Sequence, residues 1–183
     1  MWEHPGPVDA PSLDIDQALG TIAARTPAPG GGSVAALVGA MAAALCTKVA
    51  RLSADGGAAA QAEARRRALA ALASEDAEAF AAAVAELHTR GGDIRLGRAL
   101  GRAAEVPLQI AAACTDVAEL ASGLASSGKP ELEPDARCAA LLAAAAAEAA
   151  AVLVEANLGA TPGDERVARA HELAATAAAA ARA

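Results

Sequence analysis

Aromatic side chains are almost missing from this chain: its 183 residues hold one Trp, one Phe and no Tyr. Basic charge is also short, with 15 Lys and Arg against 22 Asp and Glu and a net charge of −7. Few aromatics mean a core of small side-chain volume, and proteins that grip nucleic acid need basic faces for phosphates, so the shortage of basic charge argues against such a partner. The three cysteines, Cys46, Cys114 and Cys138, are odd in number and widely spaced on apolar stretches. They read as small buried residues, not as a disulfide framework. His4, His88 and His171 stand alone, and none has a neighbour at metal-ligand spacing. The glycines are not followed by Lys-Ser/Thr or preceded by a strand, which removes the P-loop and the dinucleotide fold, and no nucleophile elbow is present. Met1-Trp2-Glu3-His4-Pro5 lacks the basic-then-apolar order of a signal peptide. The longest apolar run, Val34 to Cys46, is short of the ~20 residues that cross a bilayer. A cytoplasmic protein with no membrane partner is the expectation.

What the chain does have is alanine, the strongest helix former, with few β-branched residues to oppose it. This composition predicts an all-α fold, an elongated bundle of five to six thin helices packed closely together. At 17.8 kDa it fits a single domain. Its core side chains are small, so burial at ~25 cal/mol per Å² returns little per residue, and a homodimer that covers more helix surface is expected. Residues 1–11 read as a loose arm and 12–183 as one helical domain. Helical spacing predicts a short helix from Ser12 to Arg25, a second from Val34 to Leu52, and a third from Ala58 to His88 with a kink near Ser74. A fourth runs from Ile94 to Ser126. Inside it Pro107 removes one ladder bond and crowds the carbonyl four residues back, predicting a kink or break. A fifth opens at Glu133-Pro134-Asp135 and reaches Leu158, and an alanine-rich sixth closes the chain.

The most informative stretch of the chain is Thr26-Pro27-Ala28-Pro29-Gly30-Gly31-Gly32-Ser33. Two prolines stiffen the approach, three glycines allow other atoms close to the main chain, and Ser33 suits an N-cap. The free N–H groups beyond form a positive pole that suits an anion or a polarised carbonyl, although close helix packing alone would also explain the glycines. Ala35, Gly39 and Ala43 make a strip of small residues on the following helix. On the third helix Leu69, Leu72, Asp76, Phe80, Ala83 and Leu87 share a face, which sets the Asp76 carboxyl in an apolar stripe. Desolvation there would fit it for acid–base work, while a place in the first turn of a new helical segment would make it a dipole partner. Asp135 heads a stripe through Cys138, Leu142, Ala146, Ala149, Leu153 and Asn157, with the same two readings open. Asn157 is either a C-terminal cap or a site residue. Arg95, Arg98 and Arg102, and the run Arg65-Arg66-Arg67, read as solvated faces or as a grip on a ligand carboxylate.

With these residues assembled, the chain resembles the cyclodeaminase/cyclohydrolase family, which includes the cyclodeaminase domain of formiminotransferase-cyclodeaminase and methenyltetrahydrofolate cyclohydrolases. The resemblance runs through Thr26 to Ser33, Ala35-Ala36-Leu37, Gly39-Ala40, Asp76-Ala77 with Phe80, Glu105-Val106-Pro107-Leu108, Asp135 with Ala139-Ala140-Leu141-Leu142, and Asn157-Leu158. It implies a dimeric helical enzyme of one-carbon tetrahydrofolate chemistry with no metal or redox cofactor, only the folate-type substrate. One such reaction closes formiminotetrahydrofolate to the methenyl form with loss of ammonia; the other opens the methenyl bridge with water. By resemblance Asp76 and Asp135 are the proton carriers, and Gly30, Gly31, Gly32, Ser33, Phe80 and Asn157 contact the substrate. Two segments depart from the family pattern. Ser53-Ala54-Asp55-Gly56-Gly57 replaces a segment bearing Lys and Tyr, and Gly128-Lys129-Pro130-Glu131 with Pro134-Asp135 replaces a Gly-Asn and Ser-Asp pattern. The departures keep two alternatives open: an enzyme acting on a C–N bond of another small molecule, and a non-catalytic dimeric helical protein.

Overall fold

The computed structural model describes residues 15–88, 93–159 and 163–183. Six helices follow in order: α1 (Ile15–Ile22), α2 (Gly31–Leu52), α3 (Gly56–His88), α4 (Asp93–Ser127), α5 (Glu133–Leu158) and α6 (Glu165–Arg182), with a single 3-10 turn at Pro130–Leu132 before α5. Among the described residues there is no strand, as the composition predicts. The arm 1–11, the Ser12 cap, the turn at 89–92 and the side chain of Leu87 lie outside the described residues.

Helix α2 packs between α3 and α5, α4 packs on both α3 and α5, and α6 covers α4 and α5. Small residues make this closeness possible. Ala35, Gly39 and Ala43 are all buried. A Cβ added at Gly39 would collide with Cys114 Sγ of α4 and come within 3.2 Å of Leu69 of α3, so three helices meet over one bare stretch of backbone. Thr115 Oγ1 donates to the Leu173 carbonyl at 3.0 Å and ties α4 to α6. At the helix starts, Asp55 accepts from the Ala58 N–H at 2.9 Å and Asp164 from the Arg166 N–H at 3.0 Å, which satisfies donors that the helices leave free.

Several expectations change. Ser33 is not the cap of α2: the helix begins at Gly31 with Gly30 as its N-cap, and Ser33 lies inside the first turn with its hydroxyl turned to α3. Helix α3 is unbroken at Ser74, so Asp76 lies well inside a helix and is not a first-turn residue. Helix α4 continues through Pro107, so of the kink or break expected there the break does not occur. On α5 the buried face is Ala136, Ala139, Ala143, Ala147 and Ala150, while Cys138, Leu142 and Ala149 of the expected stripe are exposed. The alanine side fits between neighbouring helices and the bulkier side does not. Cys138 is therefore a surface thiol, whereas Cys46 and Cys114 are buried as expected, their thiols pushed up to about 11 and about 12 by burial.

The longest apolar run understated helix length. The helices Gly31–Leu52 and Pro130–Leu158 are long and apolar enough to cross a membrane by length and composition, yet about half of each is buried inside the bundle. Their outward sides carry the exposed Met41, Leu141, Leu142 and Val152. Helices α2 and α5 are packed neighbours.

Candidate active site

A pocket of about 260 Å³ opens where the α2 N-terminus meets α3, α4 and α5, lined by Pro27, Gly30, Gly31, Gly32, Asp76, Phe80, Pro107, Leu153 and Asn157. The glycine loop reaches it because Thr26 Oγ1 bonds the Ala28 carbonyl at 3.0 Å and the chain turns directly into α2 at Gly30. The Val34 N–H closes the first helical bond onto the Gly30 carbonyl at 3.1 Å, which leaves the N–H groups of Gly31 and Gly32 without a helical acceptor.

Asp76 is the centre of the arrangement. Its side chain is buried at 7% exposure. Ser33 Oγ donates to Asp76 Oδ2 at 3.1 Å, and the Ser33 backbone N–H also bonds the carboxyl. Burial raises the carboxyl above its ordinary 3.8, and the two Ser33 donors pull against that rise without cancelling it. A carboxyl held this way carries a proton nearer neutrality than an exposed one, which is what a general acid and base requires. Gly32 makes the approach possible: a Cβ there would stand 2.6 Å from Asp76 Oδ2 and closer still to Oδ1 and Cγ.

Phe80, one turn on from Asp76, is 36% exposed and gives the pocket an apolar wall. Asn157 reaches in from the end of α5, and its Nδ2 donates to the Ala103 carbonyl at 3.0 Å. Six of the eight residues named from the sequence, Gly30, Gly31, Gly32, Asp76, Phe80 and Asn157, thus line one pocket, and a seventh, Ser33, anchors it through Asp76.

Asp135 does not join them. It pairs with Lys48 at 2.9 Å, both half-exposed, at the opposite end of α5. From Asp135 to Leu153 the helix climbs about 27 Å at 1.5 Å per residue, so the two carboxylates of one chain cannot act on one atom. The arginines also stay outside the pocket: Arg65 pairs with Asp116, Arg66 and Arg67 with Glu63, and Arg95 with Glu86, while Arg98 and Arg102 are exposed. Pro27, Pro107 and Leu153 line the pocket without having been singled out for it. For Pro107 a signal was present, since a proline inside a helix always frees a carbonyl one turn back.

Two roomier depressions lack such a group. One of about 420 Å³ is lined by Arg65 and Asp116, already paired and half-exposed. Another of about 490 Å³ holds Asp164, whose carboxyl is lowered to about 2 by the side chain and backbone of Arg166. Among the described residues no three His, Cys, Asp or Glu gather as metal ligands.

The family profile for formiminotransferase-cyclodeaminase matches residues 14–177, nearly the whole chain. The chain belongs to the formiminotransferase-cyclodeaminase family. Its fold is similar to the crystal structure of formiminotetrahydrofolate cyclodeaminase from Thermotoga maritima, with a TM-score of 0.85 at 27% identity over 94% of this chain and 93% of that one. No curated protein matches the chain. Within this family's scaffold the two departing segments have structural roles. Ser53, Ala54 and Asp55 make the short link between α2 and α3, with Ala54 at φ 59° and Asp55 capping α3. Gly128 and Lys129 lead into the 3-10 turn before α5. Neither segment lines the Asp76 pocket.

Proposed function

We propose that this family member is a one-carbon tetrahydrofolate enzyme, most directly a formiminotetrahydrofolate cyclodeaminase, and that Asp76 is its proton carrier. The observation that supports this most is a buried carboxyl, pinned by Ser33, facing a pocket beside an apolar ring and an amide. In the reaction N10 of the substrate attacks the formimino carbon and forms a new C–N bond. The formimino group enters protonated, as N5–CH=NH2+; N10 gives up its proton, that nitrogen takes it, and the C–N bond to it breaks to release ammonia and leave the cationic methenyl bridge. Asp76 serves both transfers if it accepts from N10 and donates to the departing nitrogen, a double task suited to a carboxyl raised by burial. As carboxylate it also favours the cationic bridge. The balance needs protons alone and calls for no metal or redox group.

A homodimer through the apolar α2/α5 face belongs to this reading. Leu141 at 58% exposure and Met41 at 63% are large apolar groups that a second copy would cover. Asp135 and Leu153 lie at opposite ends of that face, so an antiparallel pairing of α5 helices would bring Asp135 of the partner subunit toward the pocket. A cytoplasmic location suits such an enzyme.

The test is direct. The full chain incubated with formiminotetrahydrofolate should raise methenyltetrahydrofolate absorbance and release ammonia one for one, and Asp76→Asn should slow both in step. Tetrahydrofolate at 100 times its Kd should add ~2.7 kcal/mol against heat. Absence of any thermal shift at saturating folate would overturn the reading.

A further inference from the structure

Helix α4 carries a proline in its interior, and the carbonyl four residues before Pro107 is that of Ala103. In an uninterrupted helix the N–H of residue 107 would occupy it, but proline has none. Ala103 is 3% exposed, so water does not replace the lost donor. The vacancy is filled from another helix: Asn157 Nδ2, at the end of α5, donates to this carbonyl at 3.0 Å. A carbonyl oxygen accepts only a donor, so the contact decides which way the carboxamide points. The NH₂ end faces α4, and Asn157 Oδ1, which has no partner among the described residues, is left as an acceptor on a residue that lines the Asp76 pocket. Both Pro107 and Asn157 stand in the lining of that pocket.

We propose that Pro107 is a positioning residue and Asn157 a specificity-determining one: by withholding a helical donor the proline keys the Asn157 amide, so that the pocket presents Oδ1 to an N–H donor of the ligand. Pocket selectivity for a ligand with N–H groups on this side, such as the amino-pyrimidine edge of a pterin, rests on the functional reading above. The keying of the amide does not. A flipped amide would offer NH₂ to the ligand and set a carbonyl oxygen against the Ala103 carbonyl, an arrangement the proline disfavours only while it denies Ala103 its own helical partner.

Pro107→Ala restores the helical N–H to the Ala103 carbonyl and so releases the Asn157 amide. In the ligand-free full chain, a hydrogen-bond scalar coupling between Asn157 Nδ2 and the Ala103 carbonyl carbon, with slowed exchange of that side-chain proton, is expected in wild type and lost in Pro107→Ala. Tetrahydrofolate titrated into both should bind about 2- to 10-fold more weakly to Pro107→Ala, the worth of one neutral hydrogen bond. In an Asn157→Leu background, already weakened by a similar factor, Pro107→Ala should add nothing further. A proline that merely shapes the wall would weaken both backgrounds alike. No coupling in wild type, a coupling that survives Pro107→Ala, or equal penalties in the two backgrounds would each overturn the proposal. Should tetrahydrofolate bind none of the four proteins, the functional reading falls and the coupling still decides the keying.

Discussion

Gly32→Ala is the sharpest perturbation of the site, because ordinary helix energetics and the packing here predict opposite signs. Alanine is a better helix residue than glycine by about 0.5–1 kcal/mol, and less in a first turn. Gly32 has no positive φ that would penalise a side chain. By propensity alone the variant should be more stable. The added methyl, however, would stand 2.6 Å from Asp76 Oδ2 and nearer to Oδ1. The carboxyl must swing away, which breaks the Ser33 Oγ bond at 3.1 Å and leaves the carboxyl of a buried residue without its donor. Losing a bond to a charged group costs about 1.5–3 kcal/mol, and crowding a close-packed site costs about 1–3. These overlap, since the swing that relieves the crowding is what breaks the bond, so the net loss is about 2 kcal/mol. For a chain of this size that lowers Tm by roughly 4–8 °C. Gly31→Ala is the control: its Cβ would meet only Leu153 methyls at 3.6 Å, an ordinary contact, and Tm should hold or rise. Differential scanning calorimetry of the three proteins decides the matter. A Gly32→Ala protein as stable as Gly31→Ala would show that the carboxyl does not occupy this gap.

Asp76→Asn should lower turnover about 10²- to 10⁴-fold, the range for a lost general acid–base, with little change in KM, as read by methenyl absorbance. The same variant tests linkage. With its folded carboxyl above the ordinary 3.8, native Asp76 holds a proton that the unfolded chain has released, so stability falls as pH rises from about 4 through the folded value. The Tm advantage of Asp76→Asn over wild type should therefore grow with pH across that window and then level; an advantage that shrinks would refute the raised carboxyl. Glu63 and Asp164, both lowered to about 2 by their arginines, act in the other direction, and what they contribute is lost only as pH drops from about 4 toward 2. Leu141→Asp, on the exposed face of α5, should shift the sedimenting species from dimer to monomer without changing helical content; an unchanged mass would remove that face from the proposed interface.

Much of this was legible in residue order because helical periodicity and punctuation are local. Alanine content, the Gly and Pro breaks and the stripe Leu69-Leu72-Asp76-Phe80 named the helices, and they placed Asp76 on a buried face. Two readings failed where local rules compete with packing. Ser33 has the side chain of a cap, yet a buried carboxyl on another helix is a stronger claimant for its hydroxyl, and α2 starts earlier as a result. On α5 the periodicity of apolar residues fits more than one face when nearly every position is apolar. Volume then decides, and the alanine face is buried while Cys138, Leu141 and Leu142 look outward. The distance between Asp135 and the pocket was hidden for a different reason: resemblance names residues without saying where in the fold they lie.

The scarcity of large side chains and the placement of the site have one cause. A core rich in aromatics holds helices apart, and polar groups brought between them meet side-chain atoms. Here the helices touch along alanine and glycine, so the wall that Asp76 meets is main chain at Gly32 and Ser33, whose N–H groups are fixed dipoles. Main chain cannot rotate out of the way as a side chain can, and its donors are already oriented before a ligand arrives, which is the condition for electrostatic stabilisation without reorganisation. Asn157 obeys the same logic from the other side, held by a carbonyl that Pro107 leaves free. The polar geometry of the pocket is thus set by backbone on two sides, and a chain with so little side-chain volume can still hold a carboxyl and an amide rigidly in place.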